Sequence, residues 1–236
     1  ADPRALELAV AAYQACLYSG EMAVSMVKIA VPSTLQQSIV HIGILLVQSV
    51  INSFGSTAIA GYSAGMRIES LSIVPMLAMG NAMSTFTAQN MGAGKIDRVK
   101  EGYRMCYVIV LTAGAVLCIM YQLAGGAFVS LFLDSGSSEA YSVGLSYVKF
   151  LSFFYSFIGL KASTDGLLRG AGDVTAFTVA NLVNLAIRVS VTNLFAPIYG
   201  IQVAWMAVPL GWAANYVISF GWYLTGKWKK VRVIKK

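Results

Sequence analysis

The sequence predicts an all-α integral membrane protein built as a bundle of six transmembrane helices. Three observations carry that expectation. First, the 236 residues are 57% hydrophobic and only 11% charged, against about 25% charged in an ordinary water-soluble domain. The mean hydropathy is +0.69. Second, the charges leave long gaps: 38 residues between Lys28 and Arg67, 25 between Glu69 and Lys95, 29 between Arg104 and Asp134, and 38 between Arg188 and Lys227. A helix needs roughly 20 largely apolar residues to cross a bilayer, so each gap has room for a span. Third, the charges that do occur are sorted by side. With the basic tail at 227–236 inside, six spans place Lys28, then Lys95, Arg98, Lys100 and Arg104, then Arg169 on that same side. The opposite loops hold only Asp134 and Glu139. Such asymmetry predicts a cytoplasmic C-terminus in a multi-pass plasma (cell inner) membrane protein.

The spans follow in order from the punctuation between apolar runs. The first is expected over about 29–53, ending at Phe54-Gly55-Ser56, and the second over 57–90, ending at Met91-Gly92-Ala93-Gly94. The third covers 103–133 and stops at Asp134-Ser135-Gly136-Ser137-Ser138. The fourth covers 140–169 and stops at Gly170-Ala171-Gly172-Asp173. The fifth covers 174–195 before Pro197-Ile198-Tyr199-Gly200, and the sixth 201–226. The domain plan is therefore a linker or interfacial helix over 1–27, a six-span lobe over 28–226, and a basic cytoplasmic tail over 227–236. Leu6, Val10, Tyr13 and Leu17 recur at helical spacing, which suits a helix lying on the membrane surface; a plain linker fits as well. The abrupt opening Ala1-Asp2-Pro3, without an initiator Met, reads as a piece of a longer product.

Polar residues at membrane depth are costly without a partner or water, and so mark candidate sites. In the first span Gln37, His41, Gln48 and Asn52 are spaced by 4 and 7 residues, which gathers them on one helix face. His41 is the one histidine of the chain and could carry a proton or simply hydrogen-bond within the bundle. In the second span Arg67 and Glu69 lie two apart, hence on different sides, and each needs a partner from another helix. Arg67 is roughly 15 Å in from the outer end at 1.5 Å per residue. The fourth span carries Lys149, Lys161 and Asp165; the last two can pair at i,i+4, with Asp165 near the inner surface, where a solvated pair is expected at least as much as a functional one. The fifth carries Asn181, Asn184 and Arg188, and Arg188 is the candidate partner for Glu69. Gly65, Gly80, Gly159 and Gly166 are read as close helix-packing positions.

Other classes of function are not supported. There is no HExxH, CxxC or Walker A pattern to suggest a metalloenzyme, a metal centre or a nucleotide loop. Cys16, Cys106 and Cys118 lack metal or redox spacing. The net charge of +7 is concentrated in the tail after the last span, which fits anionic lipid and not nucleic acid.

Several segments in order resemble the C-terminal half of multidrug and toxic compound extrusion (MATE) transporters. They are the run from Lys28 to Ser38, Asn52-Ser53-Phe54-Gly55 with Ala58-Ile59-Ala60-Gly61-Tyr62, Arg67-Ile68-Glu69, Gln89-Asn90-Met91-Gly92-Ala93-Gly94, and Gly166-Leu167-Leu168-Arg169-Gly170-Ala171-Gly172-Asp173. The resemblance covers about 28–226. It implies one lobe of a twelve-helix antiporter whose partner is an N-terminal six-helix lobe. It further implies export of small organic cations in exchange for H⁺ or Na⁺, with no other cofactor. In some branches acidic residues in the first and fourth spans of this lobe bind the coupling cation. Here the matching positions are Val40-His41 and Ile158, which leaves coupling to Glu69, to His41 or to the other lobe. The three membrane-depth cations Arg67, Lys149 and Arg188 keep open a second reading, a flippase for lipid-linked sugars or oligosaccharides. A third reading is a non-transporting membrane scaffold, in which the polar face of the first span is fully paired and no cavity remains.

Overall fold

The computed structural model describes residues 20–134 and 138–230. Among them every regular element is helical: α1 Gly20–Asn52, α2 Ser56–Gly92, α3 Ile96–Ser130, α4 Ser138–Ser152, α5 Tyr155–Gly170, α6 Val174–Tyr199 and α7 Gln202–Leu224, then a 3₁₀ turn Lys227–Lys230. The chain divides into two units, 1–42 and 43–236. In the first unit, the described side chains Val24, Val27, Val31, Ile39 and Ile42 are exposed apolar groups.

Among the described residues, α2, α3, α6 and α7 are each long and apolar enough to cross a membrane. The pair α4 and α5 makes a fifth span if its bend is counted as one crossing, and Ser38–Asn52 at the end of α1 is a shorter apolar helix. The fold is thus all-α and membrane-embedded. Exposed Leu71, Val74, Ile119, Leu123 and Val217 are the groups that such a bundle turns to lipid.

The fourth predicted span is not one helix. It is bent by 53° between α4 and α5, and the cause lies on α3. Gln122 Nε2 donates to the Lys149 carbonyl at 2.8 Å and to Ser152 Oγ at 2.9 Å. Ser152 Oγ donates to that same carbonyl at 2.7 Å. The carbonyl that Phe153 would use in a regular helix is therefore occupied by side chains, a recognised cause of kinks. Phe154 N instead takes the tighter bond to Leu151 O at 2.8 Å.

Smaller corrections concern helix ends. α1 is already helical at Gly20, upstream of Ile29, and residues 1–19 lie outside the described ones. α3 starts at Ile96, so its first turns carry the charges of 97–104. α6 runs through Pro197 to Tyr199 and ends on Gly200, whose φ of 96° suits only glycine without strain.

Small residues let the backbones of the larger unit approach closely. A Cβ on Gly80 of α2 would stand 2.6 Å from the Ala162 carbonyl oxygen of α5. A Cβ on Gly166 of α5 would collide with the Gly80 carbonyl in return, and one on Gly65 would stand 2.6 Å from the Tyr147 ring of α4. Gly159 meets Val110 of α3 at 2.7 Å in the same sense. This small-residue stripe holds α2 against both halves of the bent pair, which is how membrane helices gain dispersion energy without a hydrophobic drive between them.

Candidate functional site

A cavity of about 180 Å³ opens within the larger unit. Its walls come from Gly43, Ile44, Val47 and Gln48 at the end of α1, from Tyr62, Met66, Glu69, Ser70 and Ile73 of α2, and from Leu185 and Arg188 of α6. Of the α2 residues, Tyr62, Met66, Glu69 and Ile73 follow at steps of 4, 3 and 4, one helix face, with Ser70 beside Glu69. Gln48 Nε2 is held by Asn52 Oδ1 at 2.9 Å.

Glu69 is the carboxylate of this wall, and only 8% of it is exposed. Its Oε2 accepts a hydrogen bond from the Tyr147 hydroxyl of α4. Tyr147 is itself fixed by edge-on contacts with Tyr62 (ring centroids 5.3 Å apart) and Trp205 of α7 (5.6 Å). The carboxylate is thus oriented from behind by an aromatic box, with its open side toward the cavity.

Arg188 reaches the same cavity half-buried, where its charge acts on Glu69 without an ion pair between the two. Among the described residues the ion pairs are Lys100–Asp97 and Lys161–Asp165. The stem of Arg188 packs against α7: a Cβ on Gly211 would lie 3.0 Å from Arg188 Cγ and 3.1 Å from the Asn184 carbonyl. Asn184 Oδ1 is buried there without a hydrogen-bond partner.

The other candidates scatter. Arg67 is exposed and stacks its guanidinium over Phe132 at 5.9 Å, on the far side of α2 from Glu69. Lys149 is half-buried beside Gly125 of α3. His41 is exposed within the first unit. Gln37 lies in that unit too, and its side chain is outside the described ones.

Asp165 is buried, with 4% of it exposed, which corrects the solvated one of the two alternatives for its pair with Lys161. It pairs with Lys161 at 3.1 Å and accepts from Ser219 Oγ of α7 at 2.6 Å. Asn181 of α6 joins through Nδ2 at 3.4 Å and accepts from Lys161 Nζ at 3.1 Å. Next to it, Thr164, Tyr103, Tyr107 and Tyr216 form a chain of hydroxyls. Asp173 caps α6 and accepts from Trp222 Nε1 at 2.6 Å. Tyr147, Ser219, Asn215 and these tyrosines were missed from sequence. The available signal was 12 tyrosines in so apolar a chain, since a buried phenol needs a partner.

The family model MatE matches residues 32–194. The chain belongs to the MATE family of transporters. The MATE chain is 28% identical over 207 residues to a Bacillus subtilis protein described as "Probable multidrug resistance protein YpnP", covering 87% of this chain and 46% of that relative. It is 21% identical over 218 residues to "Probable multidrug resistance protein NorM" of Thermotoga maritima, covering 89% and 45%. The fold matches that of a MATE crystal structure in a bent conformation with a TM-score of 0.78 at 20% identity, over 90% of this chain and 48% of that one. A MOP superfamily transporter from Pyrococcus furiosus gives a TM-score of 0.78 at 17% identity, over 86% and 45%. This MATE chain spans about half the length of the relatives it matches, as one lobe of a two-lobe transporter does.

Proposed function

We propose that this chain is the C-terminal lobe, residues 28–226, of a secondary active multidrug antiporter that exports small organic cations in exchange for H⁺ or Na⁺. Its partner is an N-terminal six-helix lobe, and no cofactor beyond the coupling ion is needed. The chain sits in the plasma membrane with its C-terminus cytoplasmic, the orientation that the positive loops favour.

The observation that carries the reading is Glu69: a carboxylate buried at membrane depth, aimed by Tyr147, on the wall of a cavity otherwise lined mainly by apolar groups. A carboxylate in that setting stabilises any cation that reaches it far more than one in water does. An organic cation and the coupling ion then contend for one negative charge. Because binding is linked to which conformation the lobes adopt, occupancy by one favours release of the other.

The test is efflux from cells expressing the full-length protein, wild type against Glu69→Gln at matched protein levels. The proposal expects E69Q to lose the H⁺- or Na⁺-dependence of export while remaining folded. Unchanged export would refute the role of Glu69.

One observation favours the flippase reading: Arg188 stands on the cavity wall without an ion pair among the described residues, as a phosphate receptor would require. Arg67 and Lys149, the other cations that reading needs, do not line the cavity. Export of organic cations by wild type rejects it; binding of a lipid-linked phosphate sugar that is lost in Arg188→Gln supports it.

A further inference from the structure

The first turn of the basic tail, Lys227–Lys230, folds back onto the lobe. Gly226, at φ 67°, turns the chain after α7, and Trp228 is wholly buried although lysines flank it on both sides. The Trp228 indole Nε1 donates to the Tyr223 carbonyl at 3.1 Å. Its ring stacks on that of Tyr223, with centroids 5.7 Å apart and planes 14° apart. The neighbouring ammoniums are placed by the same aromatic group: Lys227 lies over Trp222 at 4.9 Å and Lys229 over Trp228 at 5.7 Å. Trp222 is itself held by Asp173 at 2.6 Å. Ring faces of this kind attract and position cations that would otherwise sweep a wide volume.

This turn meets the start of α3. Tyr223 packs on Tyr103 with ring centroids 4.7 Å apart. The charges of Arg104 and Lys100 act on the Tyr223 hydroxyl, and that of Lys229 acts on Asp97, which Lys100 pairs at 2.7 Å. Arg104 and Lys229 are exposed and have no ion pair among the described residues. Toward the membrane interior, exposed apolar side chains continue along the same two helices: Val108 and Leu111 on α3, Leu224 and Val217 on α7. Steps of 4 and 7 residues put Arg104, Val108 and Leu111 on one helix face. Unpaired cations at the head of a lipid-facing apolar stripe match a molecule that carries both a phosphate and acyl chains. Free phosphate would use only the first of these features.

We propose that Arg104, Lys229 and the Tyr223 hydroxyl, with Lys100 beside them, form a headgroup site for one anionic phospholipid whose acyl chains lie along Val108 and Leu111. The guanidinium and the ammonium take the phosphate oxygens in charge-assisted hydrogen bonds, and the phenol donates another. A basic tail is drawn to a negatively charged leaflet wherever its charges lie near the surface. Here the charges are held in register instead: Trp228 keeps Lys229 against α3, so the preference for an anionic lipid depends on a residue that carries no charge. The binding rests on no part of the antiporter reading.

The experiment is photo-crosslinking in nanodiscs that hold the purified full-length protein. The probes are phosphatidylglycerol and phosphatidylcholine, each with a photoreactive group on an acyl chain, and peptide mass spectrometry reads the adducts on residues 105–112 and 217–224. Wild type should give several-fold more adduct there from phosphatidylglycerol than from phosphatidylcholine. The double variant Arg104→Gln/Lys229→Gln, at two exposed positions, should lower that preference about fivefold or more, the factor that one cation near a charged leaflet contributes. Trp228→Leu keeps every charge and should lose the preference to a similar extent. Excess inorganic phosphate, against a chloride control of equal ionic strength, should leave the adducts unchanged. No preference in wild type, or an equal one in R104Q/K229Q, overturns the proposal. A preference kept in folded W228L overturns it in favour of plain surface charge; if W228L does not fold, the double variant decides. Loss of the adducts to inorganic phosphate marks a site for the free ion and overturns the assignment to lipid.

Discussion

Replacing Gly80 by alanine tests whether the small-residue stripe sets the spacing of the bundle. The added Cβ would stand 2.6 Å from the Ala162 carbonyl oxygen, 3.0 Å from its carbon and 3.2 Å from its Cβ. Ordinary contact begins at 3.4 Å, so α2 and α5 must separate by about 0.8 Å, and the obstacle is helix backbone, which cannot swing aside as a side chain can. Overpacking of this kind costs about 1–3 kcal/mol. Against it stands the helix-propensity gain of alanine over glycine, about 0.5–1 kcal/mol. The clash should win, for a net loss of roughly 0–2.5 kcal/mol, or up to about 10 °C in melting temperature at 2–4 °C per kcal/mol. Gly221 on α7 is the internal control, because nothing lies within 4 Å of its Cβ position. Gly221→Ala should therefore be neutral or slightly stabilising. The assay is retention of the monodisperse peak of detergent-solubilised full-length protein after heating. Equal behaviour of G80A and G221A would refute the argument that contact distance decides the sign.

Two other perturbations address the bend and the cavity charges. Gln122→Leu removes the donor to the Lys149 carbonyl and Ser152 Oγ; a straighter α4–α5 pair is expected, seen as a longer distance between spin labels at the far ends of the two helices, with a stability loss of about 1–3 kcal/mol. A bend unchanged in Q122L would place its cause elsewhere. Arg188→Gln should alter substrate affinity, since the guanidinium lines the cavity, whereas Arg67→Gln, stacked on Phe132 outside it, should leave affinity within about twofold, the range of a small surface change of ±0.5 kcal/mol. Equal effects of the two in a direct binding titration would contradict the assignment of the wall.

What could be read from the sequence was local or periodic. Charge-free gaps marked the spans because a bilayer punishes charge wherever it falls along the chain. The Lys161–Asp165 pair was legible because i,i+4 spacing guarantees that the two groups meet. Gly80 and Gly166 were legible as packing positions but not as partners of each other. The break after Ser152 was not visible, since Gln122, 30 residues away along the chain, supplies the bond that causes it. The same holds for Glu69: sequence marks it as a group that needs a partner, but charge complementarity suggested Arg188, while the fold provides Tyr147. A phenol in an apolar run carries no sign of which carboxylate it will meet. The nearness of Asp165 to the end of its span left a solvated and a functional pair both open, and only the packing of α6 and α7 over α5 buries it.

The central claim is that an organic cation and the coupling ion contend for Glu69, and the most direct measurement is a competition titration. A fluorescent organic cation is bound to purified full-length protein over a series of Na⁺ concentrations and, separately, of pH values. The account predicts that the affinity of wild type falls as Na⁺ or H⁺ is raised, and that in Glu69→Gln binding is weaker and independent of both. Binding in the folded variant that matches wild type in strength and in ion dependence would contradict it.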